Sequence, residues 1–260
     1  MAQPPPAHPF KVMAVNVNGL SDRPKRRGFF ASLQKQRQAV VLLSETHTSS
    51  DDQGRRWARE GAGPGRPWAG AALFCSKAVQ GSQPTKGVGI LIAQHMLAEG
   101  EEPVVEYSSE SGRALKVSWL TPWGQRLAAV AVYAPCEPAQ REPFFWGEYL
   151  DCITSGTQQM IVGGDFNCVM RVADVLAPSS QQAARSSRLV GGPDLRLANV
   201  LGGLEDAWLH INPTSGQPTH YTANMTSGGR IDYVFISNNL LDAGWLQGAQ
   251  QHRTFPSDHR

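Results

Sequence analysis

The sequence predicts a single α/β domain with two packed, mostly antiparallel β-sheets flanked by helices. Apolar runs of strand length recur along the chain, and four consecutive runs between residues 68 and 134 have no long helix between them. Such a series favours antiparallel pairing. Helical segments precede and follow it, which indicates that helices pack on the outer faces of the sheets. A chain of 260 residues is long for one domain, but sandwiches of this length are common.

The strands are predicted from short apolar runs that are bounded by turn residues. The second run, residues 39–44, is apolar enough for a buried strand, and Glu45 follows it directly. Residues 226–229, Thr-Ser-Gly-Gly, predict the turn between the last two strands. The predicted strands comprise residues 11–17, 39–44, 68–75, 88–93, 114–119, 126–134, 160–163, 219–222 and 231–236.

The helices are predicted where apolar side chains recur at helical spacing. Phe29, Phe30 and Leu33 share one face of the first helix, and Pro193 stands just inside the start of the last. The predicted helices comprise residues 25–38, 51–60, 142–155 and 194–201. The polar segment 170–192 predicts an irregular loop, which is a candidate for a functional role.

Composition and charge exclude some classes of protein. The net charge is only +2, from 24 Lys and Arg against 22 Asp and Glu, so overall charge does not indicate nucleic-acid binding. A basic cluster at residues 23–27 fits either a solvated helix start or a phosphate contact, and Arg27 is a candidate DNA contact. The four cysteines lack Cys-x-x-Cys spacing, which argues against a zinc site or disulfide framework and favours a reducing compartment.

The Pro-rich residues 1–10 lack the apolar region of a secretory signal and predict a disordered lead-in before one domain over residues 11–260. No apolar run is long enough to span a membrane, so no membrane partner is expected.

Polar motifs end or interrupt the predicted strands and carry the chemistry. They are Asn-Val-Asn-Gly-Leu at 16–20, Ser-Glu-Thr-His at 44–47, Tyr-Ala-Pro at 133–135, Gly-Gly-Asp-Phe-Asn at 163–167, Arg-Ile-Asp-Tyr at 230–233 and Ser-Asp-His at 257–259. Strand ends can meet at one rim of a sheet, so these motifs can build a single site. Carboxylates hold a hard cation, a base activates water, and polar donors stabilise a charged transition state. The set therefore predicts metal-dependent phosphodiester hydrolysis.

Asp165 and Asn167 are the most informative pair. Residues two apart in extended chain point the same way, so the carboxylate can take a proton from water while the amide donates to a phosphate oxygen. The alternative is an ordinary Asp/Asn turn after a strand. Glu45 is either a solvated acid at the sheet rim or a metal ligand, and Asn16 is similar. Asn18 is either a turn residue or part of the site lining.

His259 carries the side chain most often used for proton transfer or phosphate contact near neutral pH. The alternative is a surface histidine near the terminus. Asp232, from another strand, can partner it. Tyr133 can donate its hydroxyl to a phosphate, or it can pack in the core. His47 and His220 are interpreted as non-catalytic.

In this order the six motifs resemble the endonuclease/exonuclease/phosphatase superfamily, over nearly all of residues 11–260. Within it, they look most like the apurinic-endonuclease-like endonuclease domain of non-LTR (LINE-type) retrotransposons, of which Glu45-Thr46-His47 is especially typical. The resemblance implies a four-layered α/β sandwich and dependence on Mg²⁺, with Mn²⁺ as a substitute.

The resemblance also implies roles for single residues. Glu45 matches the principal metal ligand, Asn16 the amide beside it, and Asp258 a second acidic residue near the metal. Asp165 matches the residue that orients or deprotonates the attacking water. Asn167 matches the amide that supports the transition state.

The remaining matches concern phosphate and DNA. Asp232 matches the acid that orients the histidine, His259 the phosphate-facing histidine and Tyr133 the phosphate-contacting tyrosine. Thr222 falls where this branch often has a threonine, which makes it a candidate DNA contact, together with Asn18.

The sequence departs from the family pattern in three places. Cys136 stands where many relatives carry Asn after Tyr-Ala-Pro, which removes a hydrogen-bond donor near the phosphate and is expected to lower the rate. Val175 follows Asp174 where some relatives have Arg. The chain ends one residue after His259, where relatives continue into a final strand. We therefore expect a trimmed piece of a larger polyprotein, whose next part would be a reverse transcriptase.

The leading interpretation is a Mg²⁺-dependent endonuclease that nicks one strand of double-stranded DNA. The products would be a 5′-phosphate and a 3′-hydroxyl that primes target-site reverse transcription, and a nuclear location follows from the substrate. An apurinic/apyrimidinic repair endonuclease shares nearly all of this chemistry. An inositol phosphatase is disfavoured, because its Trp-Cys-Asp-Arg motif is absent. A non-catalytic nucleic-acid-binding remnant of a retroelement is the alternative from a different class.

Overall fold

The computed structural model describes residues 9–76, 86–214, 217–222, 224–251 and 259. The described strands are β1 (Val12–Asn16), β2 (Val40–Ser44), β3 (Gly70–Cys75), β4 (Val88–Ala93), β5 (Val104–Ser108), β6 (Ala114–Leu120), β7 (Arg126–Tyr133), β8 (Met160–Asp165), β9 (Val175–Leu176), β10 (Leu204–Asp206), β11 (His220–Tyr221), β12 (Gly228–Gly229) and β13 (Asp232–Ser237).

The described α-helices are α1 (Arg23–Gln36), α2 (Asp51–Glu60), α3 (Arg141–Phe144), α4 (Leu150–Thr154), α5 (Ser180–Ala184), α6 (Gly192–Leu201), α7 (Ala207–Ile211) and α8 (Asn238–Asp242). A π-helical segment, Phe145–Tyr149, joins α3 to α4. Short 3₁₀ turns occupy Gln94–Met96, Pro138–Gln140, Val172–Asp174 and Ser187–Leu189.

The longer described strands form two sheets. One has the order β1–β2–β4–β3, and the other has the order β10–β13–β8–β7–β6–β5. Pairing is parallel between β1 and β2 and between β7 and β8, and the other pairs in these two sheets are antiparallel. The predicted pair of mostly antiparallel sheets is therefore confirmed.

The two sheets pack face to face through an apolar core. Leu42 and Ile90 of the first sheet belong to the same buried cluster as Val117 and Ala129 of the second. The sheets approach closely at Gly163 in β8, where an added Cβ would lie 2.8 Å from Leu42 Cδ1. A side chain at this position would push the sheets apart, and the close approach brings their strand ends together.

Helices cover both outer faces. Phe29 of α1 packs with Val41 of the first sheet in a second buried cluster. Phe145 of the π-helical segment and Leu195 of α6 pack with Val130 of the second sheet in a third. The order helix, sheet, sheet, helix is the four-layered sandwich that the family resemblance implied.

The first helix begins beside the Asn18 turn. Asp22 caps its start by accepting a hydrogen bond from the Lys25 backbone N–H over 2.7 Å, and a proline stands in the first turn. The Lys25 ammonium donates to the Asn18 carbonyl over 2.8 Å. The helix ends at Arg37, which adopts a left-handed conformation with φ of 53°.

The structure differs from the prediction at residues 226–229. Gly228 and Gly229 form β12, which pairs with both β11 and β9, so the predicted turn is wrong at these two positions. An added Cβ at Gly228 would lie 2.6 Å from the His220 carbonyl oxygen. Glycine is therefore required for close strand packing, and the turn lies before it, closed by a 2.8 Å hydrogen bond from Thr222 N to Ser227 O.

Besides β12, three described strands were not predicted: β5, β10 and the short β9, which lies inside the segment 170–192 that was predicted as an irregular loop. β5 lies at a sheet edge and leaves Val104 and Val105 about half exposed, at 53% and 48%, so its pattern lacks a clear apolar face. The predicted helix at 142–155 is present, but its middle is π-helical rather than α-helical.

Most of the predicted lead-in, residues 1–8, lies outside the described residues. Phe10 packs against Trp123 and Trp245, with ring centroids 6.2 and 5.9 Å apart, so the packed part of the domain includes Phe10. Among the described residues, no helix is long and apolar enough to cross a membrane.

Candidate active site

The strand pairing brings the motifs to one rim of the sandwich. In the first sheet, Asn16 pairs with Ser44 at the parallel ends of β1 and β2, directly before Glu45. In the second sheet, Asp165 at the end of β8 lies between Tyr133 of β7 and Asp232 of β13. Because the sheets pack closely at Gly163, these two sets of strand ends face each other.

Asn16 joins the two sets. Its Nδ2 donates to Glu45 Oε2 over 2.8 Å and to Asp165 Oδ2 over 2.9 Å, and it lies 3.5 Å from His259 Nε2. Its Oδ1 accepts from the Asn18 backbone N–H over 2.9 Å. Asn16 is 1% exposed, so this amide holds two carboxylates together in a nearly dry setting.

Left-handed backbone conformations cluster around the site. Asn18, Glu45, His47 and Asn167 have φ values of 44°, 57°, 54° and 52°. Non-glycine residues adopt this region at an energetic cost, and such residues are concentrated at functional sites. Gly19 leaves room for the His47 ring, because an added Cβ at Gly19 would lie 2.7 Å from His47 Nδ1.

Glu45 is held between two donors. His47 Nε2 lies 3.3 Å from Glu45 Oε1, opposite the Asn16 contact. Burial alone would raise the pKa of Glu45, but the hydrogen bonds from His47 and Asn16 outweigh it, and the pKa lies below its ordinary value. Glu45 is therefore ionised at neutral pH.

His259 is held by Asp232, as the sequence predicted for a partner from another strand. His259 Nδ1 lies 2.7 Å from Asp232 Oδ2, and Nε2 lies 3.9 Å from Asp165 Oδ2. The Asp232 carboxylate oxygen accepts a hydrogen bond from the Nδ1–H of His259, which leaves Nε2 facing Asp165. The two side chains are 9% and 11% exposed, which keeps this contact shielded from water.

Asp165 lies at the centre of the group. It is 2% exposed, and its Oδ1 accepts from the Asn167 backbone N–H over 2.8 Å. Burial and the neighbouring charge of Asp232 raise the pKa of Asp165 to about 7, against the opposing effects of His259 and of its hydrogen bonds. A carboxylate with this pKa is poised to accept a proton near neutral pH.

Tyr133 and Asn167 frame the other side of Asp165. The Tyr133 hydroxyl lies 3.4 Å from Cys136 Sγ, and burial together with this contact raises the pKa of Tyr133 well above its ordinary value. The phenol therefore stays protonated and available as a donor. Asn167 Nδ2 donates to the Ala134 carbonyl over 2.9 Å, which fixes the amide beside Tyr133.

The carboxylates of the site fit a hard divalent cation. Among the described residues, ligand atoms of Asp165, Asp232 and His259 lie within 4.8 Å of one another. Asp232 Oδ1 is buried without a hydrogen-bond partner among the described residues, and Glu45 is tied to the group through Asn16. Mg²⁺ prefers such carboxylate oxygens. Asn16 directs its Nδ2 at both carboxylates and its Oδ1 at the Asn18 backbone N–H, and its place among the metal ligands stays a prediction.

One known protein family matches nearly the whole chain. The model of the Endonuclease/Exonuclease/phosphatase family matches residues 13–259. The chain belongs to this family. The resemblance to this family that was found in the sequence is confirmed, and the chain is an enzyme of the endonuclease/exonuclease/phosphatase type.

Individual relatives agree with this assignment. The chain is 25% identical over 235 residues to the Transposon TX1 uncharacterized 149 kDa protein of Xenopus laevis. The match covers 88% of this chain but only 16% of that protein, so the chain spans a small part of this relative's length.

Two solved structures share the fold of this endonuclease/exonuclease/phosphatase domain. AP endonuclease LMAP from Leishmania major has a TM-score of 0.67 at 17% identity, over 89% of this chain and 79% of that chain. The endonuclease domain of TRAS1, a telomere-specific non-LTR retrotransposon, has a TM-score of 0.63 at 16% identity, over 97% and 95%.

The predicted DNA contacts lie outside the centre described above. The Thr222 hydroxyl lies within its own turn, 2.8 Å from Asn224 Oδ1 and 3.0 Å from Ser227 O. Asn18 is exposed beside the site. Arg27 lies on α1, and its Nε is buried without a hydrogen-bond partner among the described residues. The predicted metal ligand Asp258 lies outside the described residues.

Several residues of this family member's site were missed from the sequence. His47 contacts Glu45, and His220 packs edge-on against His259 with ring centroids 4.8 Å apart, although both were interpreted as non-catalytic. Arg113 donates to the Tyr133 carbonyl over 2.9 Å, and its guanidinium lies 5.2 Å from the tyrosine ring centroid. The neighbouring histidine in Glu-Thr-His was a usable signal, whereas no local signal indicated the other contacts.

Proposed function

We propose that this enzyme is a Mg²⁺-dependent DNA endonuclease that nicks one strand and leaves a 3′-hydroxyl and a 5′-phosphate. The observation that carries the proposal is the position of Asp165. It is a buried carboxylate with a pKa of about 7, hydrogen-bonded to Asn16 and Asn167 and adjacent to the His259–Asp232 pair. This is the arrangement that proton abstraction from water beside a phosphate requires.

Each residue of the site has its own role in the proposed reaction. Asp165 accepts the proton of the attacking water. His259, oriented by Asp232, faces the phosphate, and the Tyr133 hydroxyl donates to it from the other side of Asp165. Asn167 holds the Asp165 carboxylate through its backbone N–H. His259 and Tyr133 are held in place as donors, and such fixed donors stabilise the negative charge that develops on the phosphate in the transition state.

Glu45 would hold the Mg²⁺ through its carboxylate oxygens, and Asp232 Oδ1, which has no hydrogen-bond partner among the described residues, would supply a further oxygen, with Mn²⁺ as a substitute. The ion, when bound, supplies positive charge to phosphate oxygens. Asn16 holds the Glu45 and Asp165 carboxylates by donating to both from its Nδ2, over 2.8 and 2.9 Å. Three carboxylates around one centre would otherwise repel each other.

The biological role proposed is to prime target-site reverse transcription. The similarity to a transposon protein of which this chain covers only 16% supports a parent polyprotein. A reverse transcriptase elsewhere in that polyprotein would extend the 3′-hydroxyl. This role implies double-stranded DNA as the substrate and the nucleus as the location.

The experiment is a nicking assay on supercoiled plasmid in Mg²⁺, with EDTA as the metal-free control. We expect conversion to the open circle in Mg²⁺ only, and nicks that a DNA polymerase extends without prior treatment. Extension only after removal of a 3′-phosphate would contradict the proposed chemistry. Binding of duplex without any cleavage would favour a non-catalytic remnant.

A second assay separates retrotransposition from repair. Equal amounts of an abasic duplex and an intact AT-rich duplex are offered to the same preparation. Cleavage of the intact duplex at comparable or higher rate is expected. Strong preference for the abasic duplex would instead support the apurinic/apyrimidinic repair alternative.

A further inference from the structure

A half-buried arginine beside the centre has no carboxylate partner in the part of the chain that the structure describes. Arg188 lies in the 3₁₀ turn Ser187–Leu189, and its Nη2 lies 3.0 Å from His220 Nδ1. Among the described residues, no Asp or Glu oxygen lies within ion-pair distance of its guanidinium. Cations that lose part of their hydration are normally paired, so a fixed, unpaired arginine indicates a place for an anion.

Hydrogen bonds to the backbone carbonyls of Arg188 and of the residues around it hold this turn in place. The Arg188 carbonyl accepts from the Val169 N–H over 2.7 Å, which ties the turn to the segment that follows Asn167. The buried Arg141 donates to the carbonyls of Ser187 and Val190 over 3.0 and 3.2 Å. The same guanidinium donates to Pro135 and Cys136, over 3.2 and 2.7 Å, and so joins this turn to the Tyr-Ala-Pro motif.

The side chain of Arg188 is fixed as well. It passes over Gly229, where an added Cβ would lie 3.1 Å from Arg188 Cδ and 3.0 Å from Val169 Cγ1. Glycine in β12 therefore leaves the space that the arginine occupies. Because a guanidinium only donates, His220 must accept at Nδ1 and carries no proton there.

His220 connects this arginine to the catalytic group. Its ring packs edge-on against His259 at 4.8 Å, and its backbone forms an antiparallel bridge with His259. Burial lowers the pKa of Arg188, and the charges of Asp165 and Asp232 act in the opposite direction. The guanidinium is thus close enough to the two carboxylates to interact with their charge, but it does not pair with them.

We propose that Arg188 is a further catalytic residue, which contacts the phosphate of bound DNA beside Asp165 and His259, and that His220 is its positioning residue. The inference rests on the proposed function. A planar guanidinium can bind two phosphate oxygens at once. Fixed in advance by His220, Arg141 and Gly229, it stabilises the added negative charge of the transition state without reorganising.

The main test is Arg188→Gln, with Arg196→Gln as the matched control. Arg196 is exposed on α6. Among the described residues, it makes no contact with the site that its replacement would remove. At saturating protein, we expect Arg188→Gln to lower the single-turnover nicking rate about 100-fold, the loss typical of removing one transition-state donor. Arg196→Gln should stay within about twofold of the parent, since its side chain is solvated.

A second measurement does not depend on activity. The affinity for duplex DNA is measured in EDTA over a range of salt concentrations. Arg188→Gln should reduce the slope of log affinity against log salt by about 0.9, the value for one lost phosphate contact, and Arg196→Gln should not. An unchanged slope in Arg188→Gln, or a nicking rate equal to that of Arg196→Gln, overturns the proposal.

The positioning role of His220 has its own pair of variants. His220→Asn keeps an oxygen that can accept from Arg188, and His220→Leu does not. We expect His220→Asn to retain a nicking rate within about tenfold of the parent and His220→Leu to lose as much as Arg188→Gln. Equal rates in the two variants overturn the positioning role. If the parent does not nick DNA while the salt slope falls as stated, the proposed function fails and the phosphate contact stands.

Discussion

Asn16 donates a hydrogen bond to Asp165 over 2.9 Å, although the two residues are 149 positions apart. The contact crosses from the first sheet to the second and joins the metal side of the site, at Glu45, to the proton-transfer side, at Asp165. One neutral amide thus holds two carboxylates that would otherwise repel each other, which explains why an amide is placed there instead of a third acid.

Asn16→Asp should disrupt this arrangement without changing the size of the side chain. The new carboxylate would face Glu45 and Asp165, and it cannot donate to either. We expect the nicking rate to fall about 100-fold, as when a preorganised donor is lost. Asn238→Asp, an exposed position on α8, is the control. A parent-like rate for Asn16→Asp in a plasmid assay would show that the bridge does not matter.

Glu45→Gln tests the assignment of the metal. The amide keeps the shape but removes the charge that a hard cation requires. Nicking should be abolished at Mg²⁺ concentrations that saturate the parent, and calorimetric titration with Mn²⁺ should show weakened binding. Urea unfolding should remain cooperative. If the variant cleaves like the parent, Glu45 is not a metal ligand.

The raised pKa of Asp165 predicts a pH dependence of stability in EDTA. The carboxyl titrates near 7 in the folded protein and near 3.8 in the unfolded chain. As the pH rises, the unfolded state therefore releases this proton before the folded state does. The contribution of the protonated Asp165 carboxyl to the free energy of unfolding is fully present below about pH 4 and is lost as the pH rises towards 7. Burial and the charge of Asp232 raise the pKa of Asp165, and His259 acts in the opposite direction.

The measurement is the free energy of unfolding from urea titrations between pH 4 and pH 8, for the parent and for Asp165→Asn. His259 and Asp232 remain in both proteins, so the difference between the curves reports Asp165 together with its interaction with these two neighbours. The free energy of unfolding of Asp165→Asn minus that of the parent should increase as the pH rises. Parallel curves would mean that Asp165 titrates at its ordinary value.

Gly163→Ala tests the close approach of the two sheets. An added Cβ would lie 2.8 Å from Leu42 Cδ1 and 3.0 Å from Ala14 Cβ. We expect a loss of about 1–3 kcal/mol in the free energy of unfolding, the usual cost of overpacking a core. Gly28→Ala in α1 meets nothing within 4 Å and should stabilise by about 0.5–1 kcal/mol. Equal effects of the two substitutions would contradict the packing described.

The fold and much of the site could be predicted because their signals are local. Asp165 and Glu45 directly end apolar runs, and a polar group at a strand end is visible in the sequence. The parallel and antiparallel pairings then bring these ends to one rim. Helix α2 was predicted at its observed bounds, and the structure shows that its N-cap, Ser50, directly precedes it.

The errors have physical causes. Gly228 and Gly229 were assigned to a turn because glycine is typical of turns, whereas here it allows close packing of His220 and Arg188. His220 was set aside because nothing in its neighbours along the chain indicates the ring of His259. Arg188 and Arg141 act through contacts more than 30 residues away in sequence, which no local pattern encodes.

The single-turnover nicking rate of Asp165→Asn measures whether Asp165 is the proton acceptor. The parent, Asp165→Asn and the exposed control Asp52→Asn are compared in saturating Mg²⁺ on one supercoiled plasmid, with duplex affinity measured alongside. We predict a loss of about two to four orders of magnitude for Asp165→Asn alone, with affinity nearly unchanged, because only the proton acceptor is removed. A parent-like rate for Asp165→Asn, or a loss explained entirely by weaker binding, would exclude Asp165 as the proton acceptor.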